Sequence, residues 1–302
     1  MIYLERALHL SSVVEFARWS IATGLSNSLQ IGRMRFEDAQ DFHVLRALHD
    51  RCLSLSKSIL ILIEEDHPSD VQILERSLIE ATVKFLYITG GELDVIERLH
   101  EFSTTLSDIQ VGEDFQDIDR MANLMRSVLE VVKPGKIRVG REIYDFDGFS
   151  GYFENHARLE TIASRAKKLD RKFVKGVKSR WNIYELVTSA FSGFPPVFAA
   201  EYLNRYMLGS NLTHASMPGL DMAAVEGALS PVSPQERLKY IYSIIDLTLF
   251  HNCLRSFLFS SHVKIEVFPS VLNRNLFIEE VSELLHQLPY TNFFIRALLH
   301  RA

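Results

Sequence analysis

The segment DVQILERSLIEATVKFLYITG, residues 70–90, decides the fold class. Its apolar side chains recur at three- and four-residue steps, which is the period of an α-helix. A helix that is apolar on most of its circumference is usually surrounded by other helices. We therefore predict a buried central helix in an all-α protein. The first apolar face holds Leu74, Leu78, Ala81, Phe85 and Ile88, and the second holds Ile73, Val83 and Tyr87.

The helical period continues through most of the chain, which has only 14 Gly and 9 Pro to interrupt it. Two short segments near 135–148 and 263–268 lack that period and predict irregular or β-hairpin insertions. The predicted fold is therefore all-α, a multi-helix bundle-like domain with small insertions. A Ser-x-x-Gln capping box at Ser69 and Gln72 predicts the start of the central helix. The other predicted helices cover about 3–24, 36–65, a segment from Leu93 interrupted at 111–114, 150–193, the segment around Tyr206, 233–259 and 275–287.

Composition is that of an ordinary soluble globular protein. Hydrophobic residues make up 47% and charged residues 24% of the 302 positions, which suits a chain that buries a core. The net charge of −5 is too small to indicate a polyanion partner for the whole protein. Two cysteines, Cys52 and Cys253, exclude a disulfide framework. No signal peptide and no membrane-spanning apolar run is recognisable, so we expect a cytoplasmic protein without a membrane partner.

Arg76 and Glu80 lie one helical turn apart within the apolar pattern of residues 70–90. Charged groups in such surroundings cost several kcal/mol unless they are paired and hydrogen-bonded. One interpretation is an intrahelical ion pair at the rim of the core, which contributes little if it is exposed. The other is that both side chains point into a polar pocket between helices and complete a site.

A second polar stripe lies on the helix predicted around residue 206. Tyr206, Ser210 and His214 follow one another at four-residue steps, so successive members touch along the helix. His214 precedes Pro218 at the end of the helix, where the dipole favours a protonated imidazole. His214 could cap helical carbonyls, with Ser210 bonded back to Tyr206. Alternatively, His214 acts as a general acid or base and Ser210 as its hydrogen-bonding partner.

The segments ERSLIEATVKFLY (75–87) and RYMLGSNLTHAS (205–216) resemble a family of bacterial all-helical proteins of unknown function. That family is characterised by an Arg-x-x-x-Glu helix and a later Tyr-x-x-x-Ser-x-x-x-His helix. The resemblance implies that the two polar clusters meet in space and form a catalytic site. The residues that match the two motifs are Arg76, Glu80, Tyr206, Ser210 and His214.

The resemblance covers about residues 40–220. We therefore predict a single helical domain over residues 1–302, in which 40–220 form the family-like core. Residues 221–302 are predicted to be a C-terminal helical extension packed on that core.

All-helical bacterial proteins of this kind also resemble, more distantly, the HEPN superfamily. Many HEPN proteins are metal-independent ribonucleases of toxin–antitoxin and phage-defence systems. Their signature is an Arg followed, after four to six residues, by a His. Arg255 and His262 match that spacing, which chance readily produces, whereas Arg205 and His214 have eight residues between them. A HEPN-like relationship would imply an RNA-cleaving site in which Arg76 faces the phosphate and His214 accepts the proton of the ribose hydroxyl.

The segment RAKKLDRKFVKGVKSR, residues 165–180, is the strongest charge feature of the chain, with one acid among its basic residues. Such a surface can bind phosphate backbones even on an acidic protein. Alternatively, it is a solvated helix face or pairs with the acidic stretch EDFQDID at 113–119. Phe173 is a lone aromatic, so a stacking platform for bases is absent. The candidate nucleic-acid-binding residues are Lys167, Lys168, Arg171, Lys172, Lys175 and Lys178.

No pattern indicates a metal or a cofactor. The acidic segment FEDAQDFHVLRALHD, residues 36–50, has no recognised metal-ligand spacing. A Walker A loop and a dinucleotide-binding glycine motif are also absent from the sequence. We therefore predict no metal and no cofactor.

Two functional hypotheses remain. The first is a defence- or toxin-like ribonuclease that acts on RNA without a metal, with the basic segment holding the substrate. The second is a non-enzymatic interaction or regulatory module, in which the same polar residues form a buried structural network. Its partner would be another protein or a second copy of the chain in a homodimer.

Overall fold

The computed structural model describes residues 39–65, 67–90, 95–129, 134–147, 149–192 and 194–213, with single positions near both ends. The described residues are mainly helical, which confirms the predicted all-α class. The helices are α1 (Ala39–Glu64), α2 (Pro68–Thr89), α3 (Val95–His100), a π-helix (Glu101–Leu106), α4 (Ser107–Leu129), α5 (Ser150–Ala166), α6 (Arg171–Arg180), α7 (Ile183–Ala190) and α8 (Pro196–Thr213). The strands are β1 (Gly135–Val139) and β2 (Glu142–Phe146).

The chain divides into two compact units, residues 1–95 with 182–302 and residues 96–181. We call them the first and the second unit. The predicted single domain with a C-terminal extension stays a prediction, because most of residues 214–302 lie outside the described part. The predicted helix 275–287 and the insertion near 263–268 lie there too. Helical backbone occurs at the described positions of the predicted helices 3–24 and 233–259, which are Val14, Glu15, Ala17, Arg18, Ile245, Asp246 and Thr248.

Helix α2 is the centre of the first unit, as its apolar pattern predicts. It packs against α1, α7 and α8. Leu78, Ile79, Val83 and Phe85 are fully buried although they lie on different sides of the helix. Among the described helices, none is both long enough and apolar enough to cross a membrane.

Helix α8 approaches α2 closely at Gly209. A Cβ atom on Gly209 would lie 2.4 Å from the carbonyl oxygen of Gln72 and 2.7 Å from Cβ of Arg76. Both distances are well inside van der Waals contact, and the nearer atom belongs to rigid helical backbone. The crossing of the two helices therefore requires a residue without a side chain at position 209.

The start of α2 differs from the predicted capping box. The N-cap is His67, and Pro68 begins the helix at its first turn. Ser69 is therefore inside the helix and cannot be its N-cap, so the Ser69–Gln72 box is wrong. The fixed φ of proline favours the first helical position, which explains why the helix begins before the serine.

The predicted interruption at residues 111–114 is also wrong. Helix α4 runs through Gly112, where a Cβ atom would lie 2.7 Å from Cβ of Ala166 on α5. The glycine at this position permits close packing of α5 on α4 and does not break the helix.

The predicted continuous helix over 150–193 is divided into α5, α6 and α7. Asp170 caps α6, since its carboxylate accepts hydrogen bonds from the backbone N–H groups of Lys172 and Phe173. Asn182 caps α7 by accepting from the N–H of Tyr184. Asp and Asn satisfy the free N–H groups at a helix start, and this local bonding divides the segment.

The hairpin predicted near 135–148 is confirmed. Strands β1 and β2 pair antiparallel, with Val139 opposite Glu142 across a two-residue connection. Gly140 has φ +64° in that connection. Glycine adopts positive φ without the steric penalty of a side chain, which suits a tight hairpin turn.

We predict that Gly209→Ala lowers the free energy of unfolding by about 1–3 kcal/mol, because the new methyl group forces α8 away from α2. Chemical denaturation followed by circular dichroism measures the change.

The matched control is Gly176→Ala, the same substitution inside α6. There the new Cβ meets only the flexible end of Arg180, at 3.6 Å. Alanine has the higher helix propensity, so this variant should be equally or more stable, by up to about 1 kcal/mol. Equal stability of Gly209→Ala and the wild type would contradict the close crossing.

Candidate functional site

Arg76 and Tyr206 lie in contact where α2 crosses α8. Nη2 of Arg76 donates a hydrogen bond to the hydroxyl of Tyr206 at 3.3 Å. The guanidinium carbon also lies 5.0 Å from the centroid of the Tyr206 ring, within cation–π distance. The structure thus joins one residue from each of the two motifs, although they are 130 positions apart in the sequence.

The close crossing at Gly209 positions this contact. Tyr206 lies one turn before Gly209 on α8, and the place of a Cβ on Gly209 is next to Cβ of Arg76. A larger residue at 209 would separate the two helices and draw Tyr206 away from Arg76. Gly209, which stands between Tyr206 and Ser210 in this chain, therefore has a packing function.

Glu80 is shared between two cations. Its carboxylate lies 2.7 Å from Nζ of Lys84 and 3.9 Å from Nη2 of Arg76. The three side chains retain 19–34% of their exposure. The predicted intrahelical pair of Arg76 and Glu80 is thus observed, and Arg76 also reaches a second helix. That the two side chains complete a site stays a prediction. Lys84 was not predicted, although its i,i+4 spacing from Glu80 is a recognisable signal.

Of the other two motif residues on this helix, Ser210 is described by the structure and His214 is not. Ser210 is half-buried one turn after Tyr206 on α8. The description of α8 ends at Thr213, so His214 lies outside the described residues. Arg255 and His262, which match the HEPN spacing, lie outside them as well.

The Arg76–Tyr206 contact retains hydrogen-bonding capacity. The hydroxyl of Tyr206 accepts from Arg76, so its own proton remains available for donation to another oxygen. Nε of Arg76 is buried, and within the described part of the chain no acceptor bonds to it.

A second charged cluster, which the sequence analysis missed, lies beside the first. Nη1 of Arg205 lies 2.7 Å from the carboxylate of Glu75, and its Nε lies 2.7 Å from that of Glu201. Arg205 and Glu75 are almost completely buried. They directly precede Tyr206 and Arg76 in the sequence, so each helix directs one neighbour inward and the other toward the rim. The i,i+4 spacing of Glu201 and Arg205 was the available signal.

Burial and pairing oppose each other in this cluster. Burial raises the pKa of Glu75 above its ordinary value, although the positive charge and hydrogen bond of Arg205 act to lower it. Burial also acts to lower the pKa of Arg205, but Glu75 and Glu201 raise it above its ordinary value. Arg205 is therefore always charged, and it is the group that makes the buried carboxylate of Glu75 tolerable.

The predicted nucleic-acid-binding residues all lie in the second unit, and all are exposed: Lys167, Lys168, Arg171, Lys172, Lys175 and Lys178. Lys178 differs from the others because its Nζ lies 2.7 Å from the carboxylate of Glu113. For Lys178, pairing with the acidic stretch 113–119 is thus observed.

Segment 36–50, in which no metal-ligand spacing was recognised, is described from residue 39 onward. Its start, including Glu37 and Asp38, lies outside the described residues. His43 is exposed, whereas His49 is buried. Across the described ranges, no three His, Cys, Asp or Glu side chains are grouped in a way that could hold a metal ion.

We predict that Arg205→Met lowers the free energy of unfolding by about 3 kcal/mol at pH 7.5, because it leaves Glu75 buried without its cation. Glu75 would then have a still higher folded-state pKa, and stability is lost as pH rises from the unfolded to the folded pKa. The loss should therefore be smaller at pH 5. Denaturant titrations at both pH values measure it.

Arg46→Met is the matched control in the same unit. Nε of Arg46 lies 3.5 Å from Asp50 in a partly exposed intrahelical pair. Its removal should cost no more than about 0.5 kcal/mol at either pH. A loss from Arg205→Met that is equally small would refute the role assigned to the buried cluster.

Comparison with known proteins identifies the family. The model of a family of unknown function, DUF5677, matches residues 42–226. No curated protein and no solved structure matches the chain. The matched region is more than half of the chain and contains both motif helices, as the resemblance to a helical family of unknown function implied. The chain belongs to the DUF5677 family.

Proposed function

We propose that the chain is a ribonuclease that cleaves RNA without a metal at the cluster of Arg76, Glu80, Tyr206, Ser210 and His214. The observation that carries the proposal is the contact between Arg76 and Tyr206. It joins a cation and a hydroxyl at a half-buried surface of the first unit. A cation and a proton donor side by side suit the phosphate of an RNA backbone.

In the proposed reaction, His214 accepts the proton of a ribose 2′-hydroxyl. The 2′-oxygen attacks the neighbouring phosphorus, and the bond from phosphorus to the 5′-oxygen breaks. The products are a 2′,3′-cyclic phosphate and a strand with a 5′-hydroxyl.

Arg76 stabilises the charge on the phosphate oxygens during this step. Tyr206 donates its proton to the departing 5′-oxygen. Ser210 orients the imidazole of His214, and Glu80 orients Arg76 together with Lys84.

The proposed setting is a cytoplasmic, defence- or toxin-like effector of the kind that metal-independent HEPN ribonucleases exemplify. Phage defence is one such role. This part of the proposal rests on the sequence resemblance alone.

A non-enzymatic interaction or regulatory module is the alternative, with a protein partner or a second copy of the chain. The observation that favours it is that Glu80 already neutralises Lys84 and approaches Arg76. The neighbouring Arg205 cluster is a buried structural network of the same residue types. In this alternative the Arg76–Tyr206 contact only fixes the crossing of α2 and α8.

We predict that the purified wild-type protein cleaves RNA in the presence of EDTA and that His214→Ala abolishes cleavage. Tyr206→Phe should reduce the rate at least about tenfold, because it removes only the proton donor and keeps the ring under Arg76. Cleavage is followed on a labelled RNA strand by gel electrophoresis. The melting temperatures of both variants should remain close to that of the wild type.

Tyr184→Phe is the matched control, since Tyr184 is an exposed tyrosine whose hydroxyl contacts only the sulfur of Met207 among the described residues. The Tyr184→Phe protein should cleave RNA at the wild-type rate. Equal cleavage by all four proteins would indicate a contaminating nuclease. Absence of cleavage, combined with a loss of stability of about 1 kcal/mol in Tyr206→Phe, would favour the structural alternative.

A further inference from the structure

The basic segment 165–180 contains two kinds of cation. Three of its basic residues bind carboxylates of the second unit. Nη2 of Arg165 lies 3.5 Å from Asp108, and Nζ of Lys178 lies 2.7 Å from Glu113. The third is Arg180, whose Nε donates to Glu101 at 3.2 Å.

Of the three paired cations, Arg180 shares its carboxylate with a second donor. Burial alone would raise the pKa of Glu101, but hydrogen bonds from Arg180 and Trp181 hold it below its ordinary value. The indole Nε1 of Trp181 donates at 2.7 Å. Arg180 is thus held in position by a structural contact and is not counted among the cations open to a ligand.

The other five basic residues form what we call the open basic surface: Lys167, Lys168, Arg171, Lys172 and Lys175. All five are exposed. Within the ranges that the structure describes, none of them forms an ion pair.

The geometry of α6 explains the division. Val177 is completely buried and Trp181 nearly so, and these two residues mark the side that packs on the unit. At about 100° per residue, Lys172 and Lys175 lie on the side of the helix opposite Val177, and Arg171 lies nearer the border with the packed side. Lys178 lies at the border of the packed side, where it reaches Glu113.

The start of α6 adds no anion site of its own. Asp170 already accepts from the backbone N–H groups of Lys172 and Phe173. Any attraction for anions at this surface therefore comes from the five side chains.

We propose that the open basic surface binds the sugar–phosphate backbone of single-stranded RNA without reading its sequence. A polyanion needs only a row of solvated cations, because binding is driven by release of counterions from the phosphates. The choice of RNA rests on the proposed function, since the cluster of the first unit is assigned to RNA.

The surface is less suited to an acidic protein partner. Protein interfaces have a core enriched in aromatic and apolar side chains and depleted of charge. Among residues 165–180, the exposed large apolar side chain is Phe173, which is 47% exposed and lies one turn before the buried Val177. A single aromatic ring offers one stacking position for a base, which agrees with backbone binding and not with base-by-base recognition.

The test measures binding of labelled single-stranded RNA by fluorescence anisotropy between 50 and 300 mM salt in EDTA. The parent protein for these measurements is the full chain with His214→Ala, so that the RNA stays intact. With five phosphate contacts, the slope of log affinity against log salt should be about −3.5. Adding Lys172→Gln and Lys175→Gln should reduce the slope by about 1.4 and weaken binding about 20-fold near 0.1 M salt.

The control protein carries Lys178→Gln and Lys57→Gln, instead of Lys172→Gln and Lys175→Gln, in the same His214→Ala background. It removes the same net charge, but Lys178 is paired and Lys57 is an exposed residue of α1. Its dissociation constant should stay within about twofold of that of the parent. A mixed-sequence and a uridine-only strand should bind the parent equally.

The proposal is overturned if the parent does not bind RNA, if both double variants lose affinity equally, or if neither does. Tighter binding of polyglutamate than of RNA would overturn it in favour of an acidic protein partner. Cleavage does not enter these measurements. If the His214→Ala protein binds RNA but the wild-type protein does not cleave it, the proposed function is refuted and this inference stands. If the wild-type protein cleaves RNA but the Lys172→Gln, Lys175→Gln pair causes no loss of affinity, this inference is refuted and the proposed function stands.

Discussion

The close crossing of α2 and α8 at Gly209 is the constraint on which the candidate site depends. The backbone of Gln72 and the Cβ of Arg76 occupy the space that a side chain at 209 would need. Because the helices approach so closely, Tyr206 reaches Arg76 across the interface. The same approach brings Arg205 to Glu75. One glycine thus permits a polar contact on one side of the crossing and an ion pair on the other.

Adjacent residues of the two helices have different roles because consecutive positions on a helix point in different directions. Glu75 and Arg205 face the core, where an unpaired charge would be costly and each depends on its partner. Arg76 and Tyr206 face the rim, where both side chains are partly exposed. The buried pair joins the two helices, and the rim pair remains partly exposed.

The basic residues of the second unit are also divided between paired and exposed positions. Arg165, Lys178 and Arg180 bind carboxylates of the same unit, while the residues of the open basic surface remain solvated. The strong positive charge of residues 165–180 is therefore partly structural. Formal charge in the sequence overstates the charge that a ligand would meet.

The sequence alone determined the all-α class, the central position of α2 and the hairpin around Gly140, because apolar period and glycine torsion angles are local properties. It also identified Arg76, Glu80, Tyr206 and Ser210 as candidates. Only the tertiary structure decided that Arg76 meets Tyr206, that Gly209 permits the crossing, and that Arg205 and Glu75 form a buried pair. Contacts between residues 130 positions apart depend on how the helices pack. No local pattern encodes these contacts. Glu75 and Arg76 are adjacent charged residues in the same apolar helical pattern, and only the packing of a neighbouring helix decides that Glu75 is buried and Arg76 lies at the rim.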